Sequence, residues 1–260
     1  MRHWKELHYF TKGELALWGC STALILVSFV LFDRESYLTL FASLIGVTSL
    51  IFNAKGNPFG QLLMVIFSLL YGIISLSFSY YGEMITYLGM TLPMAVVALI
   101  SWLKHPYRGN RAEVQVNRLN GRETILMAAL TAMVTILFYF ILRCFHTANL
   151  LPSTLSVTTS FAAVYLTARR SPYYAVAYAA NDLILILLWT LASLENSSYL
   201  SVVVCFAAFL ANDIYGFISW RRMGARQARS LSYQIRLTPA GRGKKLPIVL
   251  QLLCLLSARK

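Results

Sequence analysis

Two pairs of polar residues, Asn181-Asp182 and Asn212-Asp213, lie within long apolar stretches of the sequence. A carboxylate in a lipid-spanning helix costs roughly 3 kcal/mol or more, so it is expected to face a polar cavity and to have a function. Carboxylates attract cations and accept hydrogen bonds from sugar hydroxyls, whereas they repel phosphorylated ligands. The two pairs therefore predict a polar site inside a membrane protein, without identifying its ligand.

Aromatic residues accompany these pairs at helical spacing. One side of the helix around the first pair would carry Tyr174, Tyr178, Asn181 or Asp182, Leu185 and Trp189. A tryptophan two turns from a polar pair suits a flat aromatic ligand, because its ring can stack on that ligand and attract a desolvated cation by about 2 kcal/mol. We expect the substrate-binding residues to be Asn181, Asp182, Trp189, Asn212, Asp213 and Tyr215, together with Tyr87 and Gln61 from the first half of the chain.

Several of these features have a structural alternative. Asparagine within a span often does no more than hydrogen-bond a neighbouring helix. Trp102 and Trp220 are expected in the aromatic belt at the membrane interface. Gly72, Gly89 and Gly216 fit close helix packing better than hinges. For the two aspartates a ligand-binding role is favoured over a buried structural network.

The composition is that of an integral membrane protein. Of the 260 residues, 58% are hydrophobic and 13% are charged, whereas a soluble domain has about 25% charged residues. The net charge of +13 does not indicate nucleic acid, since the basic residues cluster in loops and the tail without the interleaved aromatics of a base-stacking surface. They predict loops that face anionic lipid. Cysteines and histidines show no metal-binding or catalytic spacing, so we expect no cofactor, no metal and no enzymatic activity.

Eight segments are apolar and long enough to span a bilayer. They are residues 14–32, 37–52, 60–80, 84–103, 124–142, 154–168, 173–194 and 199–220. Of the 23 lysine and arginine residues, only Arg34 and Arg143 fall in the predicted outer loops, together with acidic residues such as Glu83. This asymmetry predicts that both termini are cytoplasmic.

An internal repeat relates two groups of three segments. Residues 53–59 match residues 167–173 in type at nearly every position, 114 positions later. Residues 101–104 match residues 219–222 in the same way, 118 positions later. Equivalent positions in the two copies are four spans apart, so the copies have the same orientation and form a parallel repeat, as in small solute transporters.

The predicted fold class is an all-α polytopic membrane protein with eight transmembrane helices. Its regions are an extra N-terminal helix (1–35), a first three-helix repeat (36–104), a cytoplasmic loop and linker helix (105–152), a second three-helix repeat (153–222) and a basic C-terminal tail (223–260). Pro93 interrupts the fourth segment, and 118 positions later Ala211 adjoins the second polar pair. Matching breaks at mid-membrane depth indicate a transport site. In the tail, residues 246–257 are apolar but too short to span, and they predict a surface segment or disorder.

Short ordered motifs carry a family resemblance. They are Tyr81-Gly82-Glu83-Met84, Leu92-Pro93-Met94, Ser101-Trp102, Arg169-Arg170-Ser171-Pro172, and Asn212-Asp213-Ile214-Tyr215-Gly216 before Trp220. Over about residues 37–222 the sequence resembles the PnuC family of nicotinamide riboside transporters, whose fold is related to that of the SWEET sugar facilitators. The resemblance implies two parallel three-helix units joined by a linker helix, which agrees with the internal repeat.

The resemblance also implies a function. Family members import nicotinamide riboside across the bacterial inner membrane by facilitated diffusion, a cytoplasmic kinase traps it by phosphorylation, and some members work as homotrimers. By resemblance, the binding site falls at Asn181, Asp182, Trp189, Asn212 and Tyr215. The implied partners are this small molecule and the lipid bilayer. The expected mechanism is alternating access, in which the two halves rock about a mid-membrane site.

Two positions depart from the family. Members can carry glutamine after the Pro-Met motif and asparagine a turn after Gly-Glu-Met, where this chain has Ala95 and Tyr87. The first half of the pocket is therefore expected to differ, which leaves thiamine, riboflavin and deoxynucleosides as alternative substrates. A second hypothesis is an ion- or proton-coupled symporter whose two aspartates carry the coupling charge. A membrane-embedded enzyme would need a nucleophile–base pair or a metal cluster near one membrane face, and the sequence shows neither.

Overall fold

The structure is a computed structural model that describes residues 9–77, 81–147 and 149–237. Its helices are α1 (Lys12–Phe32), α2 (Tyr37–Ala54), α3 (Pro58–Ser77), α4 (Tyr81–Ile85), α5 (Leu92–Lys104), α6 (Gly121–Cys144), α7 (Leu150–Ala168), α8 (Tyr174–Ser193) and α9 (Leu200–Leu237). Thr86–Thr91 form a π-helical turn between α4 and α5, and Ser197–Tyr199 form a 3₁₀ turn before α9. Strands β1 (Pro106–Tyr107) and β2 (Asn110–Val114) precede α6. The apolar stretch at residues 246–257 lies outside the described residues.

Eight stretches of the described chain are long and apolar enough to cross a membrane. One of them, Gly82–Lys104, combines most of α4 with the π-helical turn and α5. The bounds agree with the predicted spans within a few residues, so the polytopic all-α fold class is confirmed. α9 differs at its end, because it continues past residue 222 to Leu237. The residues that follow Trp220 are mostly good helix formers, so nothing in that stretch ends the helix.

Two turns connect α2 to α3 and α7 to α8 in the same way. Each contains one residue with a left-handed backbone, Gly56 (φ 67°) in the first turn and Arg170 (φ 57°) in the second. The N–H of Gly56 donates to the carbonyl of Asn53, and the N–H of Arg170 donates to the carbonyl of Thr167, both at 2.9 Å. These positions are 114 residues apart, so the geometry supports the predicted repeat. The end of the bundle with these two turns is called the inner end below.

Two buried tryptophans tie the predicted repeats together at the inner end. The indole N–H of Trp102 on α5 donates to the carbonyl of Thr167 (2.8 Å), and that of Trp220 on α9 donates to the carbonyl of Asn53 (2.7 Å). The neighbouring hydroxyl–carbonyl pairs are Ser101–Ala168 and Ser219–Ala54, both at 2.7 Å. Both indoles are 0% exposed, so the prediction of an interfacial belt was wrong for them. An indole N–H that finds a carbonyl between helices loses no hydrogen bond on burial.

The π-helical turn interrupts the fourth span just before Pro93. Pro93 has no N–H to donate, and the N–H of Leu92 bonds to the carbonyl of Tyr87, five residues back. The predicted irregularity therefore takes the form of one wide turn, a feature often found at functional sites. Gly72 of α3 lies against this turn, where a Cβ would be 2.5 Å from the Leu88 side chain. This close approach fits the expected packing role of Gly72.

A β-hairpin follows α5 and contacts both inner turns. Its strands β1 and β2 are antiparallel. At its end, the N–H of Val114 donates to the carbonyl of Gly56 (2.9 Å), and the N–H of Asn117 donates to the carbonyl of Arg170 (3.0 Å). The all-α prediction did not include this small sheet. Because the two acceptors occupy equivalent positions, the linker contacts both predicted repeats alike.

Apolar side chains fill the bundle in separate clusters. One cluster contains Ile25, Ala42, Val47, Leu50, Met64, Phe67, Tyr71, Ile74, Tyr87, Ala95, Leu185, Leu188, Trp189, Val202, Cys205, Phe206 and Phe209. Another packs α6 against the π-helical turn and α7, through Met90, Phe138, Leu142, Val157 and Phe161. α1 and α6 leave most of their apolar surface uncovered, as expected of helices that face lipid.

Candidate functional site

An aromatic cluster joins the two predicted repeats in the outer half of the bundle. The ring centroid of Tyr71 on α3 lies 4.4 Å from that of Tyr87, 6.5 Å from that of Trp189 on α8 and 6.1 Å from that of Phe206 on α9. All four side chains are buried. Aromatic pairs at such distances contribute about 0.5–1.5 kcal/mol beyond the area that they bury. The cluster therefore offers a rigid set of ring faces and edges at the interface between the repeats.

Two carboxyl groups face each other next to this cluster. Asp182 on α8 and Asp213 on α9 lie within hydrogen-bonding reach of each other, and each is 3% exposed. Two carboxyl groups approach this closely in a membrane interior when they share a proton or bind a cation. With one shared proton, the pair carries a single negative charge. Asp182 also lies near Tyr87, and its Oδ2 accepts no hydrogen bond from the described residues.

A third buried carboxyl group, that of Glu83, was not predicted as a site residue. The sequence placed Glu83 in an outer loop, but the structure places it in α4, 6% exposed and near the rings of Tyr71 and Tyr87. Its Oε2 has no hydrogen-bond partner among the described residues. The sequence feature that could have identified Glu83 is its spacing of four residues from Tyr87, which puts both side chains on one face of a helix.

Asn181 is turned toward α7. Its Oδ1 accepts hydrogen bonds from the hydroxyls of Ser156 (3.2 Å), Thr159 (2.9 Å) and Ser160 (3.0 Å). This oxygen therefore serves helix packing, the structural alternative named for asparagine. The three bonds fix the rotation of α8, and the adjacent Asp182 is thereby turned toward α9.

Asn212 and Tyr215 on α9 are turned toward α1. The amide of Asn212 donates to the hydroxyl of Ser21 (2.9 Å), and the hydroxyl of Tyr215 donates to Glu14 (2.7 Å). α9 thus presents one stripe to α1 and the neighbouring stripe, with Asp213, to α8. Tyr215 therefore lies outside the aromatic and carboxyl groups described above. Asn212 keeps one buried atom, Oδ1, with no partner among the described residues.

Gln61 lies near the inner end, away from the aromatic cluster. Its side-chain amide donates to Oδ1 of Asn53 (2.8 Å). Tyr71 is ten residues further along α3, which corresponds to roughly 15 Å of helix. The structure therefore does not bring Gln61 to the aromatic cluster, and its amide bonds α3 to α2.

We call Tyr71, Tyr87, Trp189, Asp182 and Asp213 the central site. Its aromatic rings are of the kind that stack on a flat ligand and attract a cation, and its carboxyl pair is of the kind that balances a positive charge. In the part of the chain that the structure describes, no group of three or more histidine, cysteine or acidic residues could hold a metal ion. The arrangement therefore suits binding of a flat, positively charged small molecule.

The model of the family described as nicotinamide mononucleotide transporter matches residues 36–222. The chain belongs to this family. Membership in the nicotinamide mononucleotide transporter family confirms the predicted class of multi-pass membrane transporter and agrees with the expectation that the protein is not an enzyme. The matched residues include the whole central site and exclude α1.

Two known proteins with the name PnuC are similar to this chain. The nicotinamide riboside transporter PnuC of Neisseria mucosa is 28% identical over 204 residues, which cover 76% of this chain and 76% of the relative. A solved structure, described as the crystal structure of the vitamin B3 transporter PnuC, matches with a TM-score of 0.73 and 26% identity. It covers 84% of this chain and 94% of the other. The resemblance to the PnuC family seen in the motifs is thereby confirmed.

Proposed function

We propose that this protein carries nicotinamide riboside across the bacterial inner membrane by facilitated diffusion. The observation that supports this most is the central site, which combines buried aromatic rings with a carboxyl pair. The pyridinium ring of the riboside is flat and permanently cationic, so it can stack on Trp189 and gain about 2 kcal/mol from the ring face when desolvated. The description of the curated relative as a nicotinamide riboside transporter supports the same substrate.

Charge distinguishes the riboside from the mononucleotide that gives the family its name. In the described part of the chain, the buried charged side chains are Glu14, Glu83, Asp182 and Asp213, and none is a lysine or arginine. A phosphate would meet these carboxyls without a compensating cation, and two like charges 4 Å apart repel by about 4 kcal/mol at an effective dielectric constant of 20. The riboside carries one positive charge, which the carboxyl pair balances when it holds one shared proton.

The aromatic residues and the two aspartates of the central site have different roles. Trp189 and Tyr87 stack on or beside the pyridinium ring, while Asp182 and Asp213 hold its charge. Tyr71 contacts the rings of both Tyr87 and Trp189 and fixes the distance between them. All five residues of the central site thus have a proposed role. They come from α3, the π-helical turn, α8 and α9, so the site depends on how these elements pack together.

Polar groups around the central site suit the neutral parts of the ligand. Oε2 of Glu83 from the first half and Oδ1 of Asn212 from the second are buried acceptor atoms without hydrogen-bond partners among the described residues. They are suited to the ribose hydroxyls and to the carboxamide N–H groups. Asn181 acts indirectly, because its bonds to α7 orient α8. Ala95, where family members can carry glutamine, is 2% exposed and offers no polar group.

Release of the substrate on the cytoplasmic side requires the inner end to open. The bonds of Trp102 and Trp220 close that end, and they part when the two halves rock in alternating access. The π-helical turn before Pro93 weakens the backbone ladder of the fourth span and lets α5 tilt. After phosphorylation in the cytoplasm, the carboxyls of the central site repel the product, so it does not return.

The predicted location is the bacterial inner membrane, with both termini in the cytoplasm. The excess of basic residues in the loops of the inner end supports this orientation. A homotrimer stays a prediction from the family resemblance. α6 exposes large apolar side chains, including Ile125, Met133, Ile136 and Phe140, to lipid or to another subunit.

A proton-coupled symporter is the second candidate, because a proton shared by Asp182 and Asp213 can be exchanged for a bound cation. Uptake of radiolabelled nicotinamide riboside into proteoliposomes separates the two mechanisms. A facilitator equilibrates the riboside with or without a proton gradient, and an ionophore leaves the final level unchanged. A symporter accumulates it above the external concentration, and the ionophore abolishes the excess. Absence of any uptake by the wild-type protein would refute both.

A further inference from the structure

Glu14 of α1 connects the two predicted repeats at the inner end. It is 3% exposed, although α1 precedes the residues that the family model matches. Its Oε1 accepts a hydrogen bond from the hydroxyl of Tyr215 on α9 (2.7 Å), and its Oε2 accepts one from Nζ of Lys55 in the turn between α2 and α3 (3.2 Å). One carboxylate thus bridges the first repeat and the second.

The residues before α1 reinforce this bridge. Tyr9 accepts a hydrogen bond from the amide of Asn57 (3.0 Å) and donates one to the carbonyl of Ala112 in β2 (3.4 Å). The ammonium group of Lys55 lies 5.3 Å from the centroid of the Tyr9 ring. Burial raises the pKa of Tyr9, so its hydroxyl stays protonated and able to donate. The N-terminal segment therefore contacts both the first inner turn and the hairpin.

α1 and α6 occupy equivalent places in the two halves. Each begins with a capping box, in which Glu14 or Glu123 is the acidic residue. Glu14 pairs with Lys55, and Glu123 pairs with Arg169, which follows Lys55 by 114 positions. α1 packs on α2 and bonds to α9, while α6 packs on α7 and on the π-helical turn. The predicted extra helix and linker helix are therefore counterparts, and each half contains four spans.

Tyr215 on α9 has no hydrogen-bonding counterpart at the equivalent position of the first half. The residue 118 positions earlier is Val97 on α5, which is 50% exposed and cannot hydrogen-bond through its side chain. Glu123 therefore holds the inner turn of its own half, whereas Glu14 holds its own inner turn and α9 of the other half. This difference makes Glu123 a matched control for Glu14.

We propose that Glu14 is a positioning residue for transport, which holds Lys55 and Tyr215 together while the inner end is closed and releases one of them when it opens. The proposal rests on the alternating access of the proposed function. The Lys55 side chain is 22% exposed, so the bridge lies at the edge of water. Water can solvate the separated charges, which lets the bridge break in each transport cycle.

Transport and binding measurements distinguish positioning from substrate binding. Tyr215→Phe and Lys55→Met each break one arm of the bridge and keep the bulk of the side chain. Each is expected to lower the maximal rate of nicotinamide riboside counterflow by about tenfold, because a hydrogen bond to a charged group is lost. The Kd should stay within about twofold of wild type, since neither residue belongs to the central site. Glu123→Gln should leave both quantities at their wild-type values.

Two further variants test whether the arms act through one carboxylate. The double variant Tyr215→Phe/Lys55→Met should change the rate no more than the larger single change, since both arms meet at Glu14. The charge swap Glu14→Lys/Lys55→Glu should restore the rate lost in Glu14→Lys. A swap as impaired as Glu14→Lys, or fully additive single changes, would overturn the proposal.

Cysteine labelling tests the bridge without any substrate. Ala54, at the inner end of α2, is 1% exposed, so a cysteine there should react with an impermeant maleimide only when the inner end opens. In Ala54→Cys protein with its native cysteines replaced by alanine, Tyr215→Phe should raise the labelling rate from the cytoplasmic side about tenfold. Faster labelling in a protein that takes up no riboside would support the bridge and refute the proposed substrate. Unchanged labelling would overturn the bridge, whatever the substrate.

Discussion

The indole rings of Trp102 and Trp220 meet at the inner end, with centroids 5.3 Å apart and planes inclined by 48°. Each indole donates its N–H to a carbonyl of the other predicted repeat. The two residues therefore occupy equivalent positions in the two predicted repeats. Any motion that opens this end must break both bonds or move the carbonyls with the rings.

Substitution of either tryptophan by phenylalanine is expected to destabilise the protein. Trp102→Phe and Trp220→Phe keep a buried ring but remove the indole hydrogen bond to a carbonyl that still accepts one from a turn N–H, so each should cost about 0.5–1.5 kcal/mol. Thermal unfolding in detergent should show similar losses for the two variants. Trp18→Phe is the control, because Trp18 donates to Thr48 from a position that is 37% exposed. A loss in Trp18→Phe as large as in the buried pair would contradict this account.

Gly72→Ala is expected to disturb the packing of α3 against the π-helical turn. The added Cβ would lie 2.5 Å from Leu88, and overpacking of this kind costs about 1–3 kcal/mol. The second substitution Leu88→Ala makes room and should recover part of the loss in unfolding temperature. Gly19→Ala on α1 is the control, since nothing lies within 4 Å of its added Cβ. Equal effects at Gly72 and Gly19 would show that the close approach is unimportant.

The sequence predicted the spans well, because they follow from local composition, and it predicted the two inner turns that support the repeat. Runs of apolar residues set the helix bounds, and the turns at Gly56 and Arg170 carry a recognisable pattern of basic residue, polar residue and proline. The irregularity before Pro93 was likewise expected from the missing N–H. These features need no knowledge of which helices meet.

The rotation of each helix could not be predicted, because it depends on contacts between distant parts of the chain. Asn212 and Tyr215 are three residues apart and share one stripe of α9, yet that stripe meets α1, which no periodicity indicates. The equivalence of α1 and α6 is hidden for the same reason, since it depends on the ion pairs of Glu14 and Glu123. Glu83 was assigned to a loop because it directly precedes the predicted fourth span, which begins at residue 84.

Substitutions in the carboxyl pair test the charge of the central site. In Asp182→Asn an amide can donate to Asp213, so the pair keeps one negative charge and the Kd for nicotinamide riboside should change little. In Asp182→Asn/Asp213→Asn that charge is lost, and binding should weaken by about 2 kcal/mol, or about thirtyfold. The reduced riboside, whose ring is neutral, should bind both variants alike. An equal loss for the neutral and cationic ligands would refute charge pairing.

Removal of the tryptophan ring tests stacking. Trp189→Ala should raise the Kd for nicotinamide riboside about thirtyfold, since about 2 kcal/mol of cation–π attraction is lost. Trp189→Phe keeps a smaller ring face and should fall between this variant and the wild type. Trp18→Ala, on the exposed side of α1, serves as the control and should leave the Kd unchanged. Wild-type affinity in Trp189→Ala would remove this residue from the site.

The central claim is that the site binds a cationic nucleoside and rejects its phosphorylated form. Calorimetric titration of the purified protein with nicotinamide riboside and with nicotinamide mononucleotide, in the same buffer, tests it most directly. The account predicts saturable binding of the riboside and a mononucleotide affinity at least about a hundredfold weaker, as a repulsion of about 3 kcal/mol or more requires. Mononucleotide binding as tight as riboside binding would contradict it.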